Sequence, residues 1–161
     1  MAHASNFITT ATIKALLVDP VAAEARIVSL SLRDGERDLT ELYRLIGCDL
    51  VERAPFDDQH LIWTDEEGWD CATGLTMIDD GLNAIAGRFL VIGTTPDDGP
   101  CDVASDLVPI LARFICHRCI FEPEFETLSG ETPLGFFIQQ RLIAARPRIE
   151  KIKPELVSRQ D

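Results

Sequence analysis

The stretch that decides the fold runs from Leu39 to Thr94 and reads LTELYRLIGCDLVERAPFDDQHLIWTDEEGWDCATGLTMIDDGLNAIAGRFLVIGT. Its first residues predict a short amphipathic helix, because apolar residues recur at helical spacing and Gly47 follows them as a stop. Asp38 stands three residues before Glu41, which is typical of a capping box at a helix start. The rest of the stretch alternates apolar runs with polar turns and therefore predicts β-strands.

Apolar runs bounded by turn residues predict strands on both sides of this helix. The predicted strands cover residues 12–19, 25–32, 49–56, 60–65, 75–78 and 88–94. Few residues join the first two strands, or the next two, so each pair is expected to form an antiparallel hairpin. Apolar spacing predicts a further helix from about Asp106 to Ile115. Pro133 favours the first turn of another helix, from Thr132 to about Ala145.

The order of these elements predicts the fold class. Strands and helices are segregated along the chain, which favours an α+β fold with a mainly antiparallel sheet, two or three helices and a single domain. We assign residues 1–11 to an N-terminal arm, 12–131 to the α+β domain and 132–161 to a C-terminal helix and basic tail. Pro147 and Pro154 interrupt the tail, so we expect it to be an extended arm that folds over an acidic body.

Charge is distributed unevenly along the chain. The net charge is -12, and residues 49–131 hold 18 acidic residues against 4 basic ones. A block this acidic repels nucleic acid and anionic membranes, and it attracts cationic proteins. We therefore expect this protein to bind a protein partner, and we do not expect it to bind nucleic acid directly.

The acids fall at predicted turns and define a candidate binding surface. The residues of this acidic face are Asp57, Asp58, Asp65, Glu66, Glu67, Asp79 and Asp80. Turn chemistry alone also accounts for these positions, because Asp is favoured at turns for its local backbone hydrogen bonds. We expect a non-catalytic module that binds another protein through this face. The alternative is an acidic DNA mimic that inhibits a nucleic-acid enzyme, in which the carboxylates form two rows at phosphate-like spacing.

Cys116 and Cys119 form a C-x-x-C pair with His117 between them. Such a pair supplies two thiolates of a zinc site, but a tetrahedral site needs four ligands and the sequence has no second spaced pair. The pair is expected at the C-terminal end of a helix, where thiolates are poorly stabilised for redox chemistry. We therefore expect two small buried residues, and neither a metal site nor a disulfide framework.

Two histidines are the candidates for catalysis. A small hydrolase or metal-dependent enzyme would use His60 or His117, held in a concave site near carboxylates. His60 follows Asp57 and Asp58 in a predicted hairpin turn, so we expect it to be solvated. The sequence contains neither a nucleophile elbow nor a glycine-rich phosphate loop, which disfavours an enzyme and gives no reason to expect a cofactor.

The sequence also carries no sign of a membrane protein. It has no run of about 18 apolar residues, and its first residues lack the basic and apolar regions of a signal peptide. We therefore expect a cytoplasmic protein without membrane contact, and its cysteines to be reduced thiols. The sequence makes no prediction of the oligomeric state.

Several structural motifs between residues 12 and 106 form a recognisable set. They are an opening strand of the type IKALLVDP, a helix ending in Leu45-Ile46-Gly47, a strand pair closing on Asp65-Glu66-Glu67-Gly68, then Leu82-Asn83 and the strand from Gly87 to Gly93. This part of the chain resembles the small proteins of domain-of-unknown-function family 3846, which occur on phages and plasmids. The resemblance implies a mobile-element or accessory context. Because that family has no established activity, the resemblance implies no catalytic residue.

Overall fold

The computed structural model describes residues 10–33, 39–71, 73–81 and 83–158. In chain order, the elements are β1 (Thr10–Asp19), β2 (Glu24–Arg33), α1 (Thr40–Ile46), β3 (Val51–Pro55), β4 (His60–Asp65), α2 (Gly68–Cys71), β5 (Gly74–Ile78), β6 (Asn83–Ala86), β7 (Phe89–Thr94), β8 (Pro100–Cys101), α3 (Val108–Ala112), β9 (Phe114–Thr132), β10 (Gly135–Ile152) and β11 (Glu155–Leu156). A 3-10 turn, Asp79–Gly81, separates β5 from β6.

Two sheets build the fold. Among the described residues, the larger sheet has the strand order β11-β2-β1-β7-β4-β3 with β8 paired to β7, and the smaller has the order β10-β9-β5-β6. Neighbouring strands pair antiparallel, apart from β11, which lies parallel to β2. The hairpins predicted from the sequence are confirmed as the pairs β1–β2 and β3–β4.

Strand β7 lies inside the larger sheet because its residues are apolar on both faces. Phe89, Leu90, Val91 and Ile92 are all buried, and β7 pairs with β1 on one side and with β4 on the other. A continuous apolar run is typical of a strand that is covered on both faces, whereas a half-exposed strand alternates. This strand therefore separates two layers of core.

The two core layers are filled from alternate positions of the same strands. On one face of the larger sheet, Leu17 packs in a cluster with Leu42 of α1. On the other face, Leu16 and Phe89 pack in a cluster with Phe114 of the smaller sheet. Successive side chains of a strand point to opposite faces, so one apolar strand serves both layers.

Helix α1 forms where the sequence predicts it. Gly47 ends the helix in the left-handed conformation with a φ of 86°, and its N–H donates a hydrogen bond to the Tyr43 carbonyl. The Glu41 carboxylate accepts a hydrogen bond from the Ser31 backbone N–H at 2.6 Å, so it ties the helix to β2. Asp38, the other half of the predicted capping box, lies outside the described residues.

The predicted helix from Thr132 to about Ala145 is wrong, because this segment forms most of β10. Pro133 lies in the turn between β9 and β10 and starts no helix. The residues that follow, such as Phe136 and Ile138, are aromatic and β-branched and therefore favour a strand. Pairing with β9 along nearly the whole of β10 outweighs the local helix-start signal.

The helix predicted from about Asp106 to Ile115 is shorter than expected, since α3 covers Val108–Ala112. Phe114 and Ile115 begin β9 instead, because they pair with β5. The fold is therefore richer in strand and poorer in helix than the α+β prediction, although its antiparallel character is confirmed. Within the described ranges, no helix has the length and apolar character needed to cross a membrane.

The basic tail also differs from the prediction of an extended arm. Arg146 and Arg148 belong to β10, where they form ion pairs with Glu124 and Glu122 of β9. The basic segment therefore pairs with acids of the same chain, but it does so as a strand along β9 and not as an arm that folds over the acidic body. The acids concerned lie on the neighbouring strand because β10 returns directly along β9.

Candidate functional site

The predicted acidic face is divided between the two ends of β4. Asp57 and Asp58 lie in the turn that precedes this strand, while Asp65, Glu66 and Glu67 lie at and beyond its other end. A strand of 6 residues is roughly 17 Å long, so these two groups of carboxylates are well separated.

Arg113 brings Asp79 to the first group of acids. Its guanidinium makes two hydrogen bonds to the Asp79 carboxylate and lies 3.6 Å from the Asp57 carboxylate. It also lies 3.9 Å from the centroid of the Phe56 ring. The hydrogen bonds with Arg113 lower the pKa of Asp79 and raise that of Arg113. The side chain of Asp80 is outside the described part of the structure.

We predict that replacing Arg113 with Gln lowers the free energy of unfolding at neutral pH and weakens its dependence on acid. The hydrogen bonds from Arg113 depress the pKa of Asp79, which gives stability that is present above the ordinary carboxyl pKa of 3.8 and is lost as the pH falls through the folded-state value. Urea denaturation at about pH 7 and about pH 3 measures this difference.

The matched control for Arg113 is Arg44→Gln. Arg44 is exposed and lies 3.6 Å from Glu41 on the same helix, so its ion pair is screened by solvent. The control is expected to keep the wild-type stability and acid dependence. An Arg113→Gln protein with the wild-type acid dependence would contradict the role assigned to this arginine.

Two turns at one end of the larger sheet enclose a cleft of about 500 Å³. One turn joins β3 to β4 and the other joins β7 to β8, and the Thr94 N–H links them by donating a hydrogen bond to the Gln59 carbonyl at 2.8 Å. The lining residues include Asp58, Gln59, His60, Thr94, Thr95, Pro96, Cys101 and Asp102. Asp97 and Asp98 are exposed on the second turn. We call this site the acidic cleft.

Asp102 anchors the segment after β8, which forms another wall of the acidic cleft. Its carboxylate accepts a hydrogen bond from the Lys14 backbone N–H at 2.8 Å. The next residue, Val103, donates its own N–H to the Lys14 carbonyl at 2.8 Å. These bonds hold the segment after β8 against β1, so this wall of the cleft is anchored to the larger sheet.

His60 is buried at the back of the acidic cleft, so the prediction of a solvated turn residue is wrong. Its Nδ1 lies 2.8 Å from the Asp57 carboxylate, and its Nε2 accepts a hydrogen bond from the Ala104 N–H at 3.4 Å. In this pattern Nδ1 donates a hydrogen bond to Asp57, and Nε2 is the acceptor. His60 therefore connects the β3–β4 turn to the segment after β8.

The same turn lowers the pKa of Asp57. Burial alone would raise this pKa, but hydrogen bonds from the Gln59 N–H and the His60 side chain outweigh that effect. Asp57 is thus an ionised structural residue of the turn. Asp58, next to it, is exposed and faces the cleft.

The second group of predicted acids lies at the far end of β4. The Asp65 carboxylate accepts a hydrogen bond from the Glu67 N–H at 3.0 Å, and the Glu66 N–H donates to the Leu50 carbonyl. Three acids are exposed in this region, and we call them the distal acids: Asp49, Glu66 and Asp70.

The C-x-x-C pair is divided between the two faces of β9. Cys116 is buried and lies 3.8 Å from the Thr76 hydroxyl, whereas Cys119 is exposed, so the prediction of two buried cysteines is wrong for Cys119. Residues three apart on a strand point to opposite faces, so the two thiols do not converge. Burial raises the pKa of Cys116. Among the described residues, no group of three or more His, Cys, Asp or Glu side chains is arranged to hold a metal ion.

His117 lines a different and smaller cleft of about 260 Å³. The walls of this cleft are formed by Trp69, Thr73, Gly74, Leu75, Ala86, His117, Cys119 and Ile149. Desolvation and the charge of Lys151 lower the pKa of His117. We call this site the Trp69 cleft. Its walls are mostly apolar, so it differs in character from the acidic cleft.

Neither cleft could be predicted from the sequence as a unit. The acidic cleft joins residues 58–60 to residues 93–104, and nothing in the spacing of these segments predicts that they meet. The available signal was the strength of the β7 strand pattern, because a strand that pairs antiparallel with β7 brings the turn before it close to the turn that follows β7.

These observations define a sheet-rich, mainly antiparallel protein with an acidic cleft at the end of its larger sheet. The chain belongs to the family described as Domain of unknown function (DUF3846), whose model matches residues 13–115. This match confirms the resemblance seen in the sequence. It includes the whole acidic cleft and ends where β9 begins.

Two curated proteins show the extent of the relationship. The uncharacterized protein y4iR of Sinorhizobium fredii is 30% identical over 147 residues, which is 89% of this chain and 88% of that protein. The protein PsiB of Rhizobium leguminosarum bv. phaseoli is 25% identical over 114 residues, which is 70% of this chain and 85% of that protein. No solved structure matches the chain.

Proposed function

We propose that this protein is a non-catalytic protein-binding module, and that the acidic cleft receives a basic segment of its partner. The observation that carries the proposal is the joining of two acidic turns around one concave site, with Asp58 and Asp102 in its lining and Asp97 and Asp98 exposed on the β7–β8 turn that forms one wall. Carboxylates that converge on a cleft attract a lysine or arginine side chain more strongly than the same charges spread over a flat surface.

The energetics favour a modest, salt-sensitive interaction. Each exposed ion pair contributes about 0 to 1 kcal/mol, so affinity comes from several carboxylates acting together and from contact with the walls of the cleft. The net charge of -12 also accelerates the encounter with a cationic partner. A partner bound in this way is released as ionic strength rises.

The spacing of the acids supports a basic peptide over the DNA-mimic alternative. A mimic of duplex DNA needs continuous rows of carboxylates, whereas here the length of β4 lies between Asp58 and the distal acids, and Arg113 pairs with Asp57 and Asp79. A single cleft suits a short basic segment better than it suits a protein that tracks a phosphate backbone.

The bonding of His60 likewise supports a binding role over hydrolysis. Both ring nitrogens have partners within the chain, at Asp57 and at the Ala104 N–H. A general base needs an open nitrogen within reach of the proton that it removes. In the proposed function, His60 instead maintains the shape of the cleft.

The test compares two variants that remove the same charge from different places. The cleft-acid variant carries Asp58→Asn, Asp97→Asn and Asp98→Asn, and the distal-acid variant carries Asp49→Asn, Glu66→Gln and Asp70→Asn. Immobilised wild-type protein is used to capture partners from host lysate at low salt and at roughly 0.5 M salt, where exposed pairs are strongly screened. We expect a specific protein to be captured at low salt and released at high salt.

The affinity of each variant for the recovered partner then shows whether binding depends on the acids of the cleft or on the net charge of the chain. We predict that the cleft-acid variant binds it about tenfold or more weakly, while the distal-acid variant stays close to wild type. Equal losses in both variants would contradict a role for the cleft. Recovery of a DNA-binding enzyme that both variants release equally would favour the DNA-mimic alternative.

A further inference from the structure

Strands β9 and β10 extend beyond the body of the protein as a two-stranded ribbon. Strand β5 pairs with β9 from Phe114 to Arg118, and from Cys119 to Thr132 the ladder continues between β9 and β10 alone. That length of strand spans roughly 45 Å. A two-stranded ribbon is marginally stable by itself in water, so contacts beyond its own backbone ladder are needed to hold it.

On one face of the ribbon, the charged side chains of the two strands pair with one another. Four cross-strand ion pairs lie on this face: Arg118–Glu150, Arg148–Glu122, Arg146–Glu124 and Arg141–Glu126. These pairs stiffen the ribbon and neutralise its charge. The charged groups of this face are therefore already paired within the chain.

The opposite face is exposed and mostly apolar, with Thr127, Ser129 and Gln140 as polar residues between its large side chains. In the register of the ladder, Phe121, Phe125, Phe136, Ile138, Leu142 and Ile149 share this face. Each of them exposes more than half of its surface, and Leu134 at the tip is fully exposed. At its base the face continues into the Trp69 cleft, since Cys119 and Ile149 belong to both. Monomeric proteins rarely expose an apolar patch of this extent.

We propose that this apolar face binds the same face of a second copy of the chain, with the two ribbons antiparallel. In this arrangement, the tip of each ribbon reaches the base of the other, and Leu134 enters the Trp69 cleft of the second copy. The two-fold axis passes near Phe125 and Leu142, which lie opposite each other in the ladder. The proposal is independent of the function proposed for the acidic cleft.

The available area matches what a stable dimer needs. The six large apolar side chains of the face would each bury on the order of 100 Å². With Leu134 and Trp69 added, the buried surface approaches the roughly 800 Å² per partner of a standard interface. The Trp69 cleft, at about 260 Å³, has room for a leucine side chain.

Charge favours a second copy in the antiparallel orientation. The charged groups on the apolar face are Glu131 near the tip and Lys151 near the base, with His117 beside it. Antiparallel packing brings Glu131 of one copy towards Lys151 of the other, whereas parallel packing would place like charges together. It also holds the two acidic bodies at opposite ends of the dimer, where their mutual repulsion is weakest.

Sedimentation of the full chain over about 1 to 100 µM tests the proposal. We expect wild-type protein to dimerise, and Phe125→Glu to raise the dissociation constant at least about 100-fold, because it places two negative charges together at the two-fold axis. Gln139→Glu is the matched control, since it adds the same charge at an exposed position on the opposite face of the ribbon. The control is expected to remain a dimer.

The orientation is tested by cross-linking. A Glu131→Cys protein is expected to form a disulfide-linked dimer with Cys119 of the second copy under mild oxidation, and Cys119→Ala in that background is expected to abolish the link. A linked dimer that persists without Cys119 would overturn the antiparallel arrangement.

A wild-type chain that stays monomeric, or a Phe125→Glu chain that still dimerises, would overturn the proposal itself. Phe125→Glu should leave partner binding at the acidic cleft unchanged, which separates this test from that of the proposed function.

Discussion

Phe114→Ala is expected to lower the free energy of unfolding by about 3 to 5 kcal/mol, the usual cost of removing a fully buried phenylalanine. Phe114 begins β9 in the smaller sheet, and none of its surface is exposed. Its ring lies 5.3 Å from the Phe89 ring of the larger sheet and 5.4 Å from the Phe56 ring, measured between centroids. The alanine would leave a cavity at the contact between the two sheets. Urea denaturation followed by far-ultraviolet circular dichroism measures the change.

Phe121→Ala is the matched control, because it removes the same atoms from an exposed position of the same strand. Measured at a protein concentration at which the chain is monomeric, this control is expected to change the unfolding free energy by no more than about 0.5 kcal/mol. If Phe114→Ala were as mild as this control, the packing of the smaller sheet against the larger one would be wrong.

Gly93→Val is expected to cost about 3 kcal/mol or more and to abolish partner binding at the acidic cleft. Gly93 lies in β7, where it pairs with His60 of β4 and with Cys101 of β8. A Cβ atom there would overlap the Asp102 carbonyl oxygen and would lie 2.9 Å from the Cys101 sulfur. Because the nearest obstacle is backbone, the valine would push β8 and the wall of the cleft away from β7.

Thr94→Val provides the control for Gly93. It introduces the same side chain at the next position of β7, where a β-branched residue already fits the strand. The stability of this control is expected to stay near wild type, and partner binding is compared only between Gly93→Val and wild type because Thr94 lines the cleft. A Gly93→Val protein that keeps wild-type stability and partner binding would contradict the close packing of β8 against β7.

The strand pattern of the body was predictable because it depends on short-range signals. The alternation in β2, the continuous apolar runs of β1 and β7 and the glycine stop of α1 are each encoded within about ten residues. Burial on one or both faces of a sheet leaves its mark directly in such runs. The antiparallel hairpins followed from the few residues that join their strands.

The C-terminal part was not predictable in this way, because its local signals compete. Pro133 favours a helix start, while Phe136 and Ile138 favour a strand, and the ladder with β9 decides between them. Charged and apolar residues alternate along the ribbon, but only the register of the two strands shows which of them share a face. Glu122, for example, lies across from arginines that follow it by more than twenty positions in the chain.

The candidate site was predictable in its residues and not in its geometry. The sequence identified Asp57, Asp58 and His60 as a turn. It did not reveal that His60 turns inward to the Ala104 N–H, or that Asp58 shares a cleft with Asp102. Those contacts depend on which strands flank β7, and that is a property of the whole sheet.

The most direct test of the proposed function is an amide chemical-shift map of the isotopically labelled chain, recorded as the recovered partner or its basic segment is added. We expect the largest shifts at Asp58, at Gly93 to Thr95 and at Asp102 to Ala104, and we expect these shifts to disappear at roughly 0.5 M salt. Shifts centred on the distal acids, or shifts that persist at high salt, would contradict the assignment of partner binding to the acidic cleft.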